Sequence, residues 1–447
     1  MNDTLKTYIA ANTLTYFIET YGCQMNTHDS EKIAGILSEL GYLETQDKYR
    51  ADILIFNTCC VRENAENKLF GNVGHLKAHK ETRKNMLLGV CGCMMQQPGK
   101  AEKLKKTFPY VDILFGTTNM DELPGMIEAA LLKKEGTLLI EDRNDLIEDI
   151  AIKRSLPPLA SVSIMQGCNN FCSFCIVPYV RGRERSRTPE VIVDEVKALK
   201  EAGYKEVMLL GQNVNSYGGE AGSVRFPKLL EMVAATGIPR IRFMTSHPKD
   251  ASIELFQVMA AHENICKQLH LPVQSGSSRV LKEMNRKYTR ERYLALINEA
   301  RALMPGLVIT TDIMIGFPGE TEEEFEETLS LVEEVRFDAA FTFVYSKRSG
   351  TKAAEMEAQI SEAEKQRRIT RLVALQAEIT YEKNKEDVGK HERILIEGKS
   401  TRDIGSVSGK TDGGKMVNMI GEDSLVGSFV DVKIITAKKT TLLGERI

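Results

Sequence analysis

The 447-residue chain contains no tryptophan, and aromatic residues of any kind make up only 6% of it. No apolar run approaches the roughly 20 residues that a membrane-spanning helix requires. Nor does the N-terminus carry a charged stretch followed by an apolar one, as a secretory signal would. These absences predict a cytoplasmic protein with no membrane partner. There the nine cysteines stay reduced, so metal binding or catalysis is expected of them rather than disulfide pairing. A surplus of positive charge is missing too: 59 basic against 62 acidic residues leave a net charge of −3. A nucleic-acid partner would be met by local patches, not by overall basicity. Nothing in the pattern demands an oligomer, and a monomer is expected.

What the chain does contain is a compact cysteine motif, Gly167-Cys168-Asn169-Asn170-Phe171-Cys172-Ser173-Phe174-Cys175. It follows an alternating apolar run, Ser161-Val162-Ser163-Ile164-Met165, that reads as a β-strand. Three thiols on one short loop can hold three corners of a 4Fe–4S cube, whose usual ligands are cysteine thiolates. The fourth iron then has no protein ligand from this loop, and an open metal position is where chemistry can occur. A structural zinc site would want a fourth Cys or His nearby, and none follows.

At 447 residues, two to four domains are expected. Residues 14–20, 52–57, 86–90 and 111–115 read as strands. The helices between them run from Asp29 as N-cap to Leu40, from about Val61, and over 123–133. This alternation predicts an α/β domain with a largely parallel sheet. Open sheets of this kind bind ligands at the carboxyl ends of their strands. Cysteines stand just past the ends of the first three strands, so Cys23, Cys59 and Cys93 form a candidate second three-thiol site. Cys60 and Cys91 are spare or packing thiols, and Cys266 has no assigned role. The choice between Cys93 and Cys91 is left for the structure. Residues 135–158 read as a linker carrying an edge strand at 137–140.

From residue 161 the alternation resumes. Strands are expected near 161–166, 206–211, 240–245, 268–273, 308–316 and 340–345. Helices lie between them at about 189–202, 227–235, 252–262, 278–284, 289–303 and 321–335. Six βα units fit a barrel-like sheet, with strand ends pointing into the mouth. Those ends include Gly211-Gln212-Asn213-Val214-Asn215-Ser216-Tyr217, Thr245-Ser246-His247-Pro248, Pro272–Gly276 and Gly316–Thr321. Gly211, Gln212 and Gly316 are the candidates for cofactor contact. His247 is read as a structural histidine, and the Glu-rich helix 320–327 as a solvated face. A charged helix over 361–384 leads to alternating strands from residue 391, a small all-β barrel of about five strands. Its only base-stacking aromatic is Phe429. Arg181, Arg183, Arg185 and Arg187 would share one face of an extended segment and suit phosphate. Lys365, Arg367, Arg368 and Arg371 form a second basic cluster.

The Cys168–Cys175 motif resembles the signature of the radical S-adenosylmethionine (SAM) enzymes. Tyr21-Gly22-Cys23-Gln24-Met25-Asn26, Asn57-Thr58-Cys59 and Gly92-Cys93 resemble the motifs that hold an auxiliary 4Fe–4S cluster in the methylthiotransferases of that superfamily. The C-terminal pattern resembles the TRAM domain, an RNA-binding module. Residues 211–217 are similar to the branch acting on isopentenyladenosine in tRNA. The resemblance implies an N-terminal α/β domain (1–135), a linker (136–158), a partial (βα)6 radical SAM barrel (159–383) and a TRAM β-barrel (384–447). It implies two 4Fe–4S clusters, at Cys168, Cys172 and Cys175 and at Cys23, Cys59 and Cys93, with SAM as co-substrate. The activity implied is insertion of a methylthio group at ring carbon 2 of isopentenyladenosine, beside the anticodon. Partners would be the tRNA anticodon loop, a flavodoxin- or ferredoxin-type electron donor, and a sulfur donor or cluster-repair protein. The alternatives are threonylcarbamoyladenosine in tRNA, a ribosomal-protein aspartate, or a non-catalytic iron–sulfur RNA-binding protein.

Overall fold

A computed structural model describes residues 3–60, 63–133, 136–141, 143, 146, 148, 150–154, 157–219, 224–400 and 405–447. The chain forms two compact units. One comprises Met1–Ser155, Met165–Asn169 and Ile176–Arg187, the other Leu156–Ile164, Asn170–Cys175 and Thr188–Ile447.

The first unit is built on six parallel strands: β1 (Thr15–Thr20), β2 (Leu43–Glu44), β3 (Ile53–Thr58), β4 (Leu87–Gly92), β5 (Ile113–Phe115) and β6 (Thr137–Leu139), in the order β2-β1-β3-β4-β5-β6. Helices cover both faces, so the central strands must be apolar on both sides. Every residue of β3 and β4 is buried. Ile53 and Ile55 pack with Ile33 and Leu37 of helix Gln24–Glu39, whereas Leu54 and Phe56 pack with Leu69 and Val73 of helix Glu63–His75. The expected linker strand is the sheet's edge, paired with β5.

Two expectations for this unit change. The helix after β1 starts at Gln24, with Cys23 at its N-cap position, so Asp29 lies inside the helix and is buried rather than capping it. Tyr21-Gly22-Cys23-Gln24-Met25-Asn26 reads as a turn, yet its last three residues are helical and Met25 and Asn26 are buried. The next helix begins at Glu63, and residues 61–62 lie outside the described residues.

In the second unit, β7 (Leu159–Ser163), β10 (Glu206–Leu210) and β11 (Arg240–Phe243) form one parallel sheet, and β12 (Gln268–His270), β13 (Val308–Ile315) and β14 (Ala339–Val344) another. A parallel bridge between Ile241 and Ile265 joins them. The six strands thus follow one another in chain order, with helices Pro189–Glu201, Phe226–Ala235, Ile253–Ala261, Ser278–Glu283, Arg290–Leu303 and Glu322–Val335 between them, as in a partial barrel. The short strands β8 (Met165–Gln166) and β9 (Arg185–Ser186) pair antiparallel in the first unit.

The C-terminal segment closes into a five-stranded barrel. Its strands are β15 (His391–Lys399), β16 (Ser406–Lys410), β17 (Met416–Ile420), β18 (Phe429–Ala437) and β19 (Leu442–Arg446). Period-two residues such as Ile394, Ile396, Val430, Val432 and Ile434 fill it. Two buried arginines on β11 reach its backbone. Arg240 donates to Lys410 and Arg393 carbonyls at 2.9 and 3.0 Å, and Arg242 to those of Thr411 and Asp412 at 2.6 and 2.8 Å. The buried Glu206 carboxylate stands 3.0 Å from Arg242. The second basic cluster does not form a phosphate patch, because its charges are spent within the protein. Arg367, Arg368 and Arg371 pair with Glu320, Glu322, Glu326 and Glu364, and Lys365 with Glu362.

Candidate metal centres and barrel mouth

In the first unit, Cys23, Cys59 and Cys93 stand just past β1, β3 and β4. Two glycines let these ends close. A Cβ at Gly22 (φ +131°) would lie 2.7 Å from the Cβ of Cys59, and one at Gly92 (φ +97°) would lie 2.4 Å from the Thr58 carbonyl. Two buried amides tie the loops reciprocally. Asn26 Nδ2 donates to the Thr58 carbonyl at 2.9 Å, and Asn57 Nδ2 to the Asn26 carbonyl at 2.8 Å. The Thr58 hydroxyl donates to the Cys91 carbonyl at 2.6 Å. The motif residues flanking these cysteines therefore position the thiols, and a fully satisfied buried network of this kind rigidifies what it surrounds.

Arg181 enters this site with its side chain 4% exposed. Its Nε donates to Cys93 Sγ at 3.2 Å and its Nη2 to Asp29 Oδ2 at 2.7 Å. A hydrogen bond from Cys60 and the charge of Arg181 pull the Cys93 thiol down to about 6, against its burial. Cys60 is driven the other way, by the same hydrogen bond and by burial. Of the pair, Cys93 is the thiol shifted toward the thiolate, the form that binds metal. Cys91 lies within β4 among the core residues on the face of helix Gln24–Glu39, and burial pushes its thiol well up. A packing role suits Cys91 and a ligand role suits Cys93.

The run 181–187 is not a single arginine face. Arg181 ends helix Val177–Arg181 and is buried, Arg187 is buried with Glu148 at 4.0 Å, and Arg183 is exposed. The alternation fails because Arg181 is helical and is aimed at the thiols.

In the cysteine loop, a Cβ at Gly167 (φ +80°) would lie 2.0 Å from the Arg183 carbonyl. Cys168 N–H donates to the Gly182 carbonyl at 3.1 Å. In the second unit, residues 284–288 hold the loop's other part. Asn285 Nδ2 donates to the carbonyls of Asn170 and Phe171 at 3.1 and 2.9 Å, and Ser173 N–H to that of Met284 at 3.0 Å. The guanidinium of buried Arg286 donates to Cys172 Sγ at 3.4 Å and to the Pro272 carbonyl at 2.8 Å. Among the described residues no carboxylate pairs with Arg286, so its full positive charge faces the thiol. Asn285 (φ +59°) and Lys287 (φ +62°) take left-handed backbones, as non-glycine residues in over-determined functional segments do. Sequence reasoning missed this support, and it read Asp29 as a helix cap. Arg181 was noticed, but for phosphate.

At the strand ends, the Thr245 hydroxyl donates to the Gly211 carbonyl at 2.9 Å, and Gln212 follows, partly exposed. Gly316 (φ +71°) gives its N–H to Glu320 at 2.7 Å, and a Cβ there would lie 2.5 Å from Lys365 Cγ. Thr245 (φ +67°) and Gln274 (φ +71°) add two strained backbones at the ends of the barrel strands. His247 is structural as expected. Its Nδ1 accepts from Lys249 N–H at 3.1 Å, and burial, helped by the Arg286 charge, keeps the ring neutral.

No disulfide joins any of the nine cysteines. Among the described residues no three His, Cys, Asp or Glu side chains gather closely enough to hold a metal ion. Both loops offer thiols beside a buried guanidinium, a donor set that fits a thiolate-ligated cluster.

The fold and the cysteine loop place the chain among radical SAM proteins. Residues 162–332 match the model of the Radical SAM superfamily, residues 15–116 that of uncharacterized protein family UPF0004, and residues 385–447 that of the TRAM domain. A tRNA-2-methylthio-N(6)-dimethylallyladenosine synthase of Clostridium botulinum (strain Okra / Type B1) is 51% identical, over 100% of both chains. Its namesake in Thermoanaerobacter sp. (strain X514) is 51% identical over 97% of this chain and 93% of its own. The chain belongs to the tRNA-2-methylthio-N(6)-dimethylallyladenosine synthase family.

Two solved structures bear on the fold alone. The radical SAM methyltransferase TsrM from Kitasatospora setae is 13% identical, with a TM-score of 0.56 over 76% of this chain and 75% of its own. The cobalamin-dependent radical enzyme OxsB is 12% identical, with a TM-score of 0.51 over 79% and 56%.

Proposed function

We propose that the protein inserts a methylthio group at ring carbon 2 of N(6)-dimethylallyladenosine (isopentenyladenosine) in tRNA, beside the anticodon. The observation that carries this reading is 51% identity over the full length to a synthase of that name, supported by the position of Cys23, Cys59 and Cys93 just past three parallel strands. Cys168, Cys172 and Cys175 are the ligands of one 4Fe–4S cluster, and Cys23, Cys59 and Cys93 of a second. When bound, the first cluster and SAM supply a 5′-deoxyadenosyl radical that can attack an unreactive ring C–H.

The protein's own part is positioning and electrostatics. Asn285 and Met284 fix the cysteine loop, and Arg286 places positive charge against Cys172. Asn26 and Asn57 hold the Cys23 and Cys59 loops together, while Arg181 stabilises the Cys93 thiolate. Gly211, Gln212 and Gly316 line the approach to SAM. The TRAM barrel holds RNA phosphates, with affinity falling steeply as salt rises. A flavodoxin- or ferredoxin-type donor supplies electrons and a separate protein restores sulfur, with the enzyme working as a cytoplasmic monomer.

The test is anaerobic reconstitution of wild type and Cys23→Ala, with iron and sulfide counted per chain. About eight irons falling to about four supports two clusters. Dithionite, SAM and tRNA bearing dimethylallyladenosine should then yield a methylthio mass gain on that nucleoside. SAM cleavage with no thiolated product would overturn the reading.

A further inference from the structure

An RNA base drawn from its stack needs an aromatic face to lie on, and this chain has few to offer. The TRAM barrel's Phe429 is already covered: the Arg240 and Arg393 guanidiniums stand 5.0 and 4.8 Å from its ring centre. Of the chain's 16 phenylalanines, the only exposed ones among the described residues are Phe341 and Phe343, at 54% and 48%. Both lie on β14 and point the same way, two residues apart. In register they pair with Asp312 and Met314 of β13. The alternate β13 residues Thr311, Ile313 and Ile315 are fully buried on the other face.

The exposed face is continuous with the radical site. Met314 packs in a cluster with Phe317, Tyr345 and Phe174, and Phe174 sits between Cys172 and Cys175. Further along, Phe341 meets the His270 ring edge-on at 6.0 Å, and His270 Nε2 lies 3.5 Å from Asp312 Oδ1. Two bare aromatic rings and one carboxylate thus share a single sheet face that begins at the cysteine loop.

We infer that Phe341 and Phe343 form the platform for the substrate base and that Asp312 sets its specificity, an inference that rests on the function proposed above. The chemistry matches an N6-alkenyl adenine on three counts. The ring stacks on one phenylalanine, the five-carbon apolar substituent covers the second, and the one remaining N6–H donates to the Asp312 carboxylate. A threonylcarbamoyl substituent carries its own carboxylate, which would meet Asp312 and two apolar rings. The same face therefore rejects that substrate by like-charge repulsion and desolvation.

The experiment uses holoprotein and anticodon stem-loop RNAs bearing adenosine, dimethylallyladenosine or threonylcarbamoyladenosine at the target position, with Kd read by fluorescence anisotropy. Wild type should prefer the dimethylallyl RNA. Phe341→Ala and Phe343→Ala should each weaken binding of the dimethylallyl RNA about tenfold, the size of one lost base–aromatic stack. The ring under the alkenyl group should lower the preference over adenosine when removed, and Phe341→Tyr should retain wild-type binding. Asp312→Asn should relax discrimination against the threonylcarbamoyl RNA. Unchanged iron content and circular dichroism show that the variants fold. An undiminished preference in the Phe341→Ala/Phe343→Ala protein, with wild type still forming methylthio product, would overturn the platform and leave the function standing. Wild type that makes no methylthio product on the dimethylallyl RNA would overturn both.

Discussion

The pair of Arg181 and Asp29 makes a demanding test of the first thiol site. Their side chains are only 4% and 3% exposed and meet at 2.7 Å. Two desolvated charges in such contact roughly cancel each other's burial cost, but removing one leaves the other stranded. Asp29→Leu would abandon a guanidinium whose remaining contact at the site is Cys93 Sγ at 3.2 Å. Arg181→Leu would abandon a carboxylate whose second oxygen is buried with no hydrogen-bond partner. Each single change should cost about 3–5 kcal/mol, whereas the double change to leucine should cost far less than the sum. A chain with several domains does not unfold in one step, so the measurement should be local. Native-state hydrogen exchange, read by mass spectrometry on peptides from helix Gln24–Glu39, reports that helix's own opening. A loss of 3 kcal/mol raises opening more than a hundredfold, since about 1.4 kcal/mol is a factor of ten. Single variants shifting exchange less than tenfold would mean the pair behaves as a solvated surface ion pair, and the reasoning would fail. Additive effects in the double variant would refute the coupling.

Two further predictions concern charge. Arg286→Gln removes the one positive charge bonded to Cys172, so the cluster there becomes harder to reduce. Its midpoint, followed by electron paramagnetic resonance in a redox titration, should fall by roughly 60 mV, a tenfold change in a one-electron couple; an unmoved midpoint would sink the assignment. His28 and His247 are both held neutral by burial, their folded pKa values pushed below the ordinary 6.5. The unfolded chain therefore binds protons that the folded chain refuses, and stability falls as pH drops below about 6.5, by up to about 1.4 kcal/mol per unit for each ring. Native-state hydrogen exchange on peptides around Ser246–Lys249, corrected for intrinsic exchange rates and compared at pH 7 and pH 5, should lose part of its pH dependence in His247→Gln, and an identical pH slope in the two proteins would contradict this.

What could be read from the chain in advance follows a physical division. Strands with strict apolar patterning and helices with regular spacing were legible because they record burial residue by residue. The barrel strands from β10 onward and the five-stranded C-terminal barrel fall where periodicity puts them, whereas the first, expected over 161–166, ends at Ser163, and Met165–Gln166 pairs with β9 instead. The placement of Cys23, Cys59 and Cys93 just past strands was legible because parallel topology brings strand ends to one edge. What stayed hidden were polar side chains whose partners are remote in sequence. Asp29 looked like a helix cap, because short carboxylates before an apolar run usually are, and Arg181 looked like a phosphate ligand, because it sits in an arginine-rich run. Each reading was sound for its local pattern. Yet Asp29 and Arg181 are 152 positions apart, and Arg286 is 114 from Cys172, so no window along the chain contains either pair. Phe341 and Phe343 were overlooked for the opposite reason. In a buried-looking strand, Ala-Ala-Phe-Thr-Phe-Val, apolar rings predict core, and only the fold shows that one face was left open. A phenylalanine pair kept bare in so aromatic-poor a chain carries a solubility cost, and a splayed alkenyl-adenine is the occupant that would relieve it.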